Sequence, residues 1–228
     1  MDLETNLKHV MEGIEESKLK SPFKRNVELI AVSKTHSTQM IKEVRDLGIK
    51  NFGENKVQEL MEKIEEIQDV NFHLIGNLQT NKVKYIYDKV KLIQSLDRIK
   101  LAKEINKRAL KDEIKVNCLV QINIGDEDSK FGIKYNETED FIYQLQDFEN
   151  LNILGLMAIA PHTSDEALLR KCFEKMNNMF EILKSMRYSN VDMKYLSMGM
   201  SNDYKIAIEE GSNMVRIGSK IFGNRNYN

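Results

Sequence analysis

No apolar run in this sequence approaches the roughly 20 residues that span a bilayer. The amino terminus, MDLETNLKHVMEGIEE, is acidic and amphipathic, without the basic start and apolar core of an export signal. Cysteine is scarce: Cys118 and Cys172 sit inside apolar patterns and, with no export signal, read as buried free thiols of a cytoplasmic chain. There is no basic excess. The formal net charge is -1 and lysines alternate with glutamates as on solvated helix faces, which argues against a nucleic-acid surface. No repeat of motif strength, low-complexity segment or linker divides the chain. What is present is 228 residues, 41% of them hydrophobic, enough for one sizeable core.

Apolar runs alternate with helical patterns along the whole sequence. Strands are expected at 27–33, 49–53, 71–75, 91–95, 115–123, 153–159, 193–198 and 213–217. Helices are expected at 2–18, from Thr38 (as the cap) to Gly48, at 56–68, 79–87, 98–110, 137–147, 165–186 and 204–210. In the helix 165–186 the buried side is read as Leu168, Leu169, Cys172, Phe173, Met176, Met179, Phe180 and Leu183. The strands are too continuously apolar for half-exposed sheets, and strict alternation with helices implies a parallel sheet. Eight such units predict an α/β fold, a closed (β/α)8 TIM barrel with an extra amino-terminal helix, as a single domain over 1–228. The rival is a doubly wound open sheet. That fold usually carries a glycine fingerprint after strand one, where this chain has SKTHS.

Barrel active sites lie at the carboxyl ends of the strands. Lys34, Asn55, Asn77, His162, Ser201, Arg216 and Ser219 all fall there. Lysine is rarely buried unless paired, so Lys34 at the end of an apolar strand is either the point where the strand reaches solvent or an amine aimed into a pocket. Phosphate sites in such barrels often use the loops after strands seven and eight, where Ser201 and the turn Gly218-Ser219 stand. A phosphate there and a lysine on strand one suit a phosphorylated carbonyl compound held as a Schiff base. Pyridoxal phosphate is one candidate; a phosphorylated sugar in a lysine-dependent aldolase is the other. The aldolase needs carboxylates near the lysine on neighbouring strands, and the sequence places none convincingly. His36 reads as a solvent-facing loop residue and His73 as packed or hydrogen-bonded within a strand. His9 and His162 are too isolated for a metal site, and Asp126, Glu127 and Asp128 lack calcium-loop spacing. The twelve methionines read largely as core filler.

The stretches AVSKT (31–35), NFGEN (51–55), HLIGNLQTNK (73–82), SKFG (129–132), GLMAIAP (155–161), LSMGMSND (196–203) and AIEEGSNMVRIGSKIFG (207–223) resemble the YggS/PROSC family of pyridoxal-phosphate-binding homeostasis proteins. The resemblance covers nearly the whole chain. It implies that Lys34 forms the Schiff base with pyridoxal 5'-phosphate and that Ser201, with the backbone at Gly218 and Ser219, is the phosphate cup. It also implies that Arg216 faces the pyridine nitrogen and that Asn55 lies near the ring. His36 departs from the family, where a lysine is common, and Asn77 stands at a variable position. The implied fold is the barrel domain of alanine racemase without its second domain. The implied role is vitamin B6 homeostasis, with apo forms of pyridoxal-phosphate enzymes as partners, no nucleic acid, no membrane, and a monomeric state.

A guanidinium is only a donor, so Arg216 would favour the unprotonated pyridine and weaken the ring as an electron sink. Racemisation also needs a second acid/base group, a tyrosine from the second domain in the racemases. Here the sequence offers Tyr204, which reads as packed in a helix, and Tyr227. The expectation is a cofactor-holding protein with no robust catalytic turnover. The alternative is a cryptic pyridoxal-phosphate-dependent amino-acid racemase or related enzyme.

Overall fold

The computed structural model describes residues 2–125 and 131–223. The acidic stretch Asp126, Glu127 and Asp128, the first two residues of SKFG, and Tyr227 lie outside the described residues.

Eight parallel strands close into a barrel: β1 (Glu28–Val32), β2 (Asn51–Glu54), β3 (Asn71–Leu74), β4 (Leu92–Leu96), β5 (Val116–Asn123), β7 (Leu151–Ala158), β8 (Val191–Ser197) and β9 (Met214–Ile217). β1 pairs β2 on one side and β9 on the other, so that Ala31 faces both Phe52 and Ile217, and the β4–β5 pairing completes the ring. A two-residue strand not expected from the sequence, β6 (Ile133–Lys134), adds to β5 outside the ring. The helices are α1 (Leu3–Lys20), α2 (Thr38–Asp46), α3 (Val57–Glu66), α4 (Ile99–Lys111), α5 (Thr138–Leu145), α6 (Glu166–Ser185), α7 (Tyr204–Glu209) and α8 (Ser219–Phe222). Residues 80–85 form a 3-10 helix where an ordinary short helix was expected.

Strand alternation sorts the core into two parts. The larger lies between strands and helices and takes Leu29, Ala31, Phe52, Val215 and Ile217. The smaller fills the floor of the barrel with Ile30, Leu92, Leu119, Met157 and Met214. Each buried aliphatic side chain of this size contributes about 1.5–3 kcal/mol. The floor is thus a packed plug, and the space above it opens only toward the carboxyl ends of the strands.

The extra helix α1 buries Leu3, Leu7, Val10 and Ile14 against α7 and α8. Asn6 Nδ2 donates to the Ile221 carbonyl at 3.0 Å. Two local expectations are corrected. Ser37, not Thr38, caps α2: its extended backbone lets its hydroxyl accept from the Met40 N–H. Leu168 is 41 % exposed, because at about 100° per residue it falls just beyond the edge of the buried arc of α6, and Asn177, at the opposite edge, joins the buried face instead. Cys118 and Cys172 are both buried and not joined in a disulfide.

Candidate functional site

On β1 the even positions point into the barrel: Ile30 joins the floor, Val32 lies above it, and Lys34 stands above Val32 at the rim. On β9 the same alternation stacks Met214, Arg216 and Gly218. The residues singled out from the sequence therefore meet. Lys34, Asn55, Ser201, Arg216, Gly218 and Ser219 line one cavity of about 620 Å³. Asn77 and His162 line its wall as well. The volume lies within the range of about 300–1,000 Å³ usual for small-molecule sites.

The bottom of the cavity is set by Arg216, which is 4 % exposed. Its Nη1 donates to Ser197 Oγ at 2.6 Å and its Nη2 to the Ala158 carbonyl at 2.8 Å. Burial lowers its pKa to about 10, against the opposing charge of Asp203, so it stays a cation at neutral pH. A cation that only donates dictates the hydrogen-bond direction behind it. Ser197 accepts from Arg216, so it donates to Gln94 Oε1 at 2.7 Å. The Gln94 amide is thereby oriented with Nε2 toward His73 Nδ1, 3.1 Å away, which must accept. His73 is then the Nε2–H tautomer, and a proton on Nδ1 would face another donor. Burial, helped by the charge of Lys91, holds its pKa down to about 3. Arg216, Ser197, Gln94 and His73 form one fixed polar layer between the apolar plug and the cavity.

The rim is built from the last two loops. The Gly218 N–H donates to Ser201 Oγ at 3.3 Å, joining the loop after β8 to the loop after β9. Ser219 and Lys220 open α8, where amide groups have no intrahelical acceptor. A Cβ at Gly218 would sit 3.0 Å from the Val32 carbonyl, so the absent side chain keeps this rim close to β1. Asp203 is buried and accepts from the Met200 N–H, fixing the turn that carries Ser201. On the opposite wall, a Cβ at Gly76 would lie 2.2 Å from the Asn55 carbonyl, so glycine lets the loops after β2 and β3 touch.

The turn that carries Lys34 is tied from outside the barrel. Lys63 on α3 is 4 % exposed, and its Nζ donates to the Ser33 carbonyl (2.8 Å), Glu54 Oε1 (2.8 Å) and Glu59 Oε1 (2.7 Å). Ser33 Oγ also donates to Glu54 Oε1 at 2.6 Å, and the Thr35 N–H donates to Glu59. This cluster was not singled out from the sequence, where lysines alternating with glutamates read in general as solvated helix faces. Its signal was present: Lys63 falls three residues after Leu60 and four before Ile67, on the buried stripe. Glu54, on the strand next to Lys34, is the carboxylate that seemed absent. It faces α3, and burial raises its pKa despite Lys63.

His36 differs from expectation, whereas Tyr204 packs as expected. His36 is half-buried and stacks on Phe222, centroids 4.9 Å apart, so it is not a solvent-facing loop residue. Tyr204 is buried against α1, where a Cβ at Gly13 would meet its hydroxyl, and it does not line the Lys34 cavity. Gln121, Phe131, Met200 and Asp203 also line the cavity and were not singled out. Among the described residues no helix is long and apolar enough to cross a membrane, and no group of three or more His, Cys, Asp or Glu could hold a metal ion.

A model of the family "Alanine racemase, N-terminal domain" matches residues 6–226. A pyridoxal phosphate homeostasis protein from Aquifex aeolicus is 42% identical over 201 residues, 87% of this chain and 87% of that protein. One from Pasteurella multocida is 41% identical and covers 100% of this chain and 99% of its own length. Among solved structures, an unknown protein from Bifidobacterium adolescentis superposes with TM-score 0.91 at 29% identity, over 96% of this chain and 94% of that one. PipY of Synechococcus elongatus PCC7942 with PLP bound gives TM-score 0.83 at 28% identity, over 97% of this chain and 100% of that one. An alanine racemase of Clostridium difficile 630 gives TM-score 0.74 at 14% identity, over 98% of this chain and 58% of that one, a likeness of fold alone.

Proposed function

The chain belongs to the pyridoxal phosphate homeostasis protein family, and from that membership and the geometry of the barrel mouth we propose that it holds pyridoxal 5'-phosphate on Lys34 and hands it to apo forms of pyridoxal-phosphate enzymes. The carrying observation is the convergence of Lys34, Arg216 and the Ser201–Gly218 rim on one cavity. The donor set fits the cofactor. In this reading Ser201, Ser219 and the turn at Gly218 form a neutral rim for the phosphate, Arg216 supplies a donor toward the ring nitrogen, and Asn55, which lines the same cavity, meets the ring. When bound, the cofactor supplies an aldehyde for covalent attachment to the lysine amine with loss of water.

The protein's own residues favour holding over turnover. Arg216 is a permanent donor locked by Ser197 and Ala158, so it withholds the proton that would make the ring a strong electron sink. Tyr204 lies outside the cavity and is not placed to move a proton there. In this reading the chain is one barrel domain over 1–228, monomeric and cytoplasmic, in keeping with two cysteines not joined in a disulfide. The test is transfer. The cofactor-loaded protein is mixed with an apo-aminotransferase while a phosphatase destroys cofactor free in solution. Recovery of aminotransferase activity is expected; no recovery, with cofactor retained or lost to the phosphatase, refutes the hand-over.

A further inference from the structure

The residue bearing the reactive amine is held on both sides by groups that never enter the cavity. Immediately before it, the Ser33 carbonyl accepts from Lys63 Nζ at 2.8 Å. Immediately after it, the Thr35 N–H donates to Glu59, and Glu59 Oε1 accepts from the same Nζ at 2.7 Å. Thr35 has φ of 68°, a left-handed conformation that costs a β-branched residue free energy and persists only where surroundings impose it. Glu54 Oε1 gathers the remaining Lys63 bond and the Ser33 hydroxyl. Lys63 thus spends three donors on one turn, at 4 % exposure, a costly use of a buried charge.

We propose that Lys63, with Glu59 and Glu54, is a positioning cluster that fixes the turn 33–35 so that Lys34 meets its carbonyl ligand in attacking geometry. The inference rests on Lys34 being the attachment site. Release of the turn loosens the backbone from which the lysine side chain starts, and loss of about 1 Å in placement is enough to cost about a hundredfold in rate.

The experiment compares the full-length parent with Glu59→Ala, Glu59→Gln and the double variant Lys63→Met with Glu54→Gln. The last replaces the buried ion pair by neutral groups, and the part-exposed Glu59 keeps its bond from the Thr35 N–H. Two readouts are taken: amide hydrogen exchange at residues 33–36 without cofactor, and the stopped-flow rate of the visible band on adding pyridoxal 5'-phosphate. Expected for Glu59→Ala and the double variant are faster exchange confined to this turn and attachment slowed about 10–100-fold, with Glu59→Gln, which keeps the acceptor, within about twofold of the parent. Faster exchange with unchanged attachment would make the cluster purely structural and overturn the proposal, as would no change in either. A parent that never attaches the cofactor refutes the reading of Lys34 itself, a distinguishable failure that takes the proposal with it.

Discussion

Protonation of His73 is the perturbation whose size the structure fixes best. The imidazole is 2 % exposed, and its Nδ1 faces the Gln94 amide nitrogen at 3.1 Å. Its folded pKa is held to about 3, whereas in the unfolded chain a histidine titrates near about 6.5. A depressed folded pKa means that the unfolded chain takes the proton first, so stability present above pH 6.5 drains away as pH falls toward 3. Between pH 7 and pH 5 the unfolded histidine gains weight about 25-fold relative to the folded one, or about 2 kcal/mol. The assay is urea unfolding of the cofactor-free protein at both pH values, for the parent and for His73→Gln. Glu28, Glu54 and Asp97 have raised pKa values from burial and act in the opposite direction, but they do so in both proteins and cancel in the difference. The parent should lose about 2 kcal/mol more than the variant over this window. Equal losses in the two proteins would refute the fixed polar layer behind Arg216.

Three further outcomes follow from the same geometry. Ser197→Ala leaves a buried Arg216 donor without its acceptor and should destabilise the protein by about 1–3 kcal/mol in urea unfolding, where an exposed change such as Ser185→Ala stays within about 0.5 kcal/mol. Gly76→Ala would press a methyl against the Asn55 carbonyl; a loss of about 1–3 kcal/mol and weaker cofactor binding by absorbance titration are expected. Alanine racemisation by the loaded protein should stay far below the about 1–1,000 per second of ordinary enzymes; turnover in that range, retained after repurification, would contradict the donor-only role of Arg216.

Much of this fold was legible because its signals are long-range in kind but local in sequence. The runs at β1, β5, β7 and β9 are buried on both faces, as barrel strands sandwiched between a plug and a helix layer must be. The same period of two that buries Ile30 and Met214 carries Lys34 and Arg216 to the cavity, so their meeting could be reasoned out once eight strands were counted. Charged residues that serve the fold from behind were only partly legible. Lys63 stands on the buried stripe of α3, but its partner Glu54 shows only when α3 is laid against the ends of β1 and β2. The polar layer was equally hidden, because Gln94, Ser197 and His73 are spread over 125 positions' worth of different strands and only barrel closure joins them. Leu168 shows the opposite error: an apolar residue just outside the buried arc of the helix was counted with it.

The central claim is that Lys34 carries pyridoxal 5'-phosphate in this cavity. The direct measurement is the visible absorbance spectrum of the protein with added cofactor, beside Lys34→Ala at matched concentration, followed by borohydride reduction and peptide mapping. The account expects a yellow band in the parent, absent from the variant, with the reduced adduct on the peptide containing Lys34. A parent that stays colourless, or an adduct found on another lysine while Lys34 remains unmodified, would contradict it.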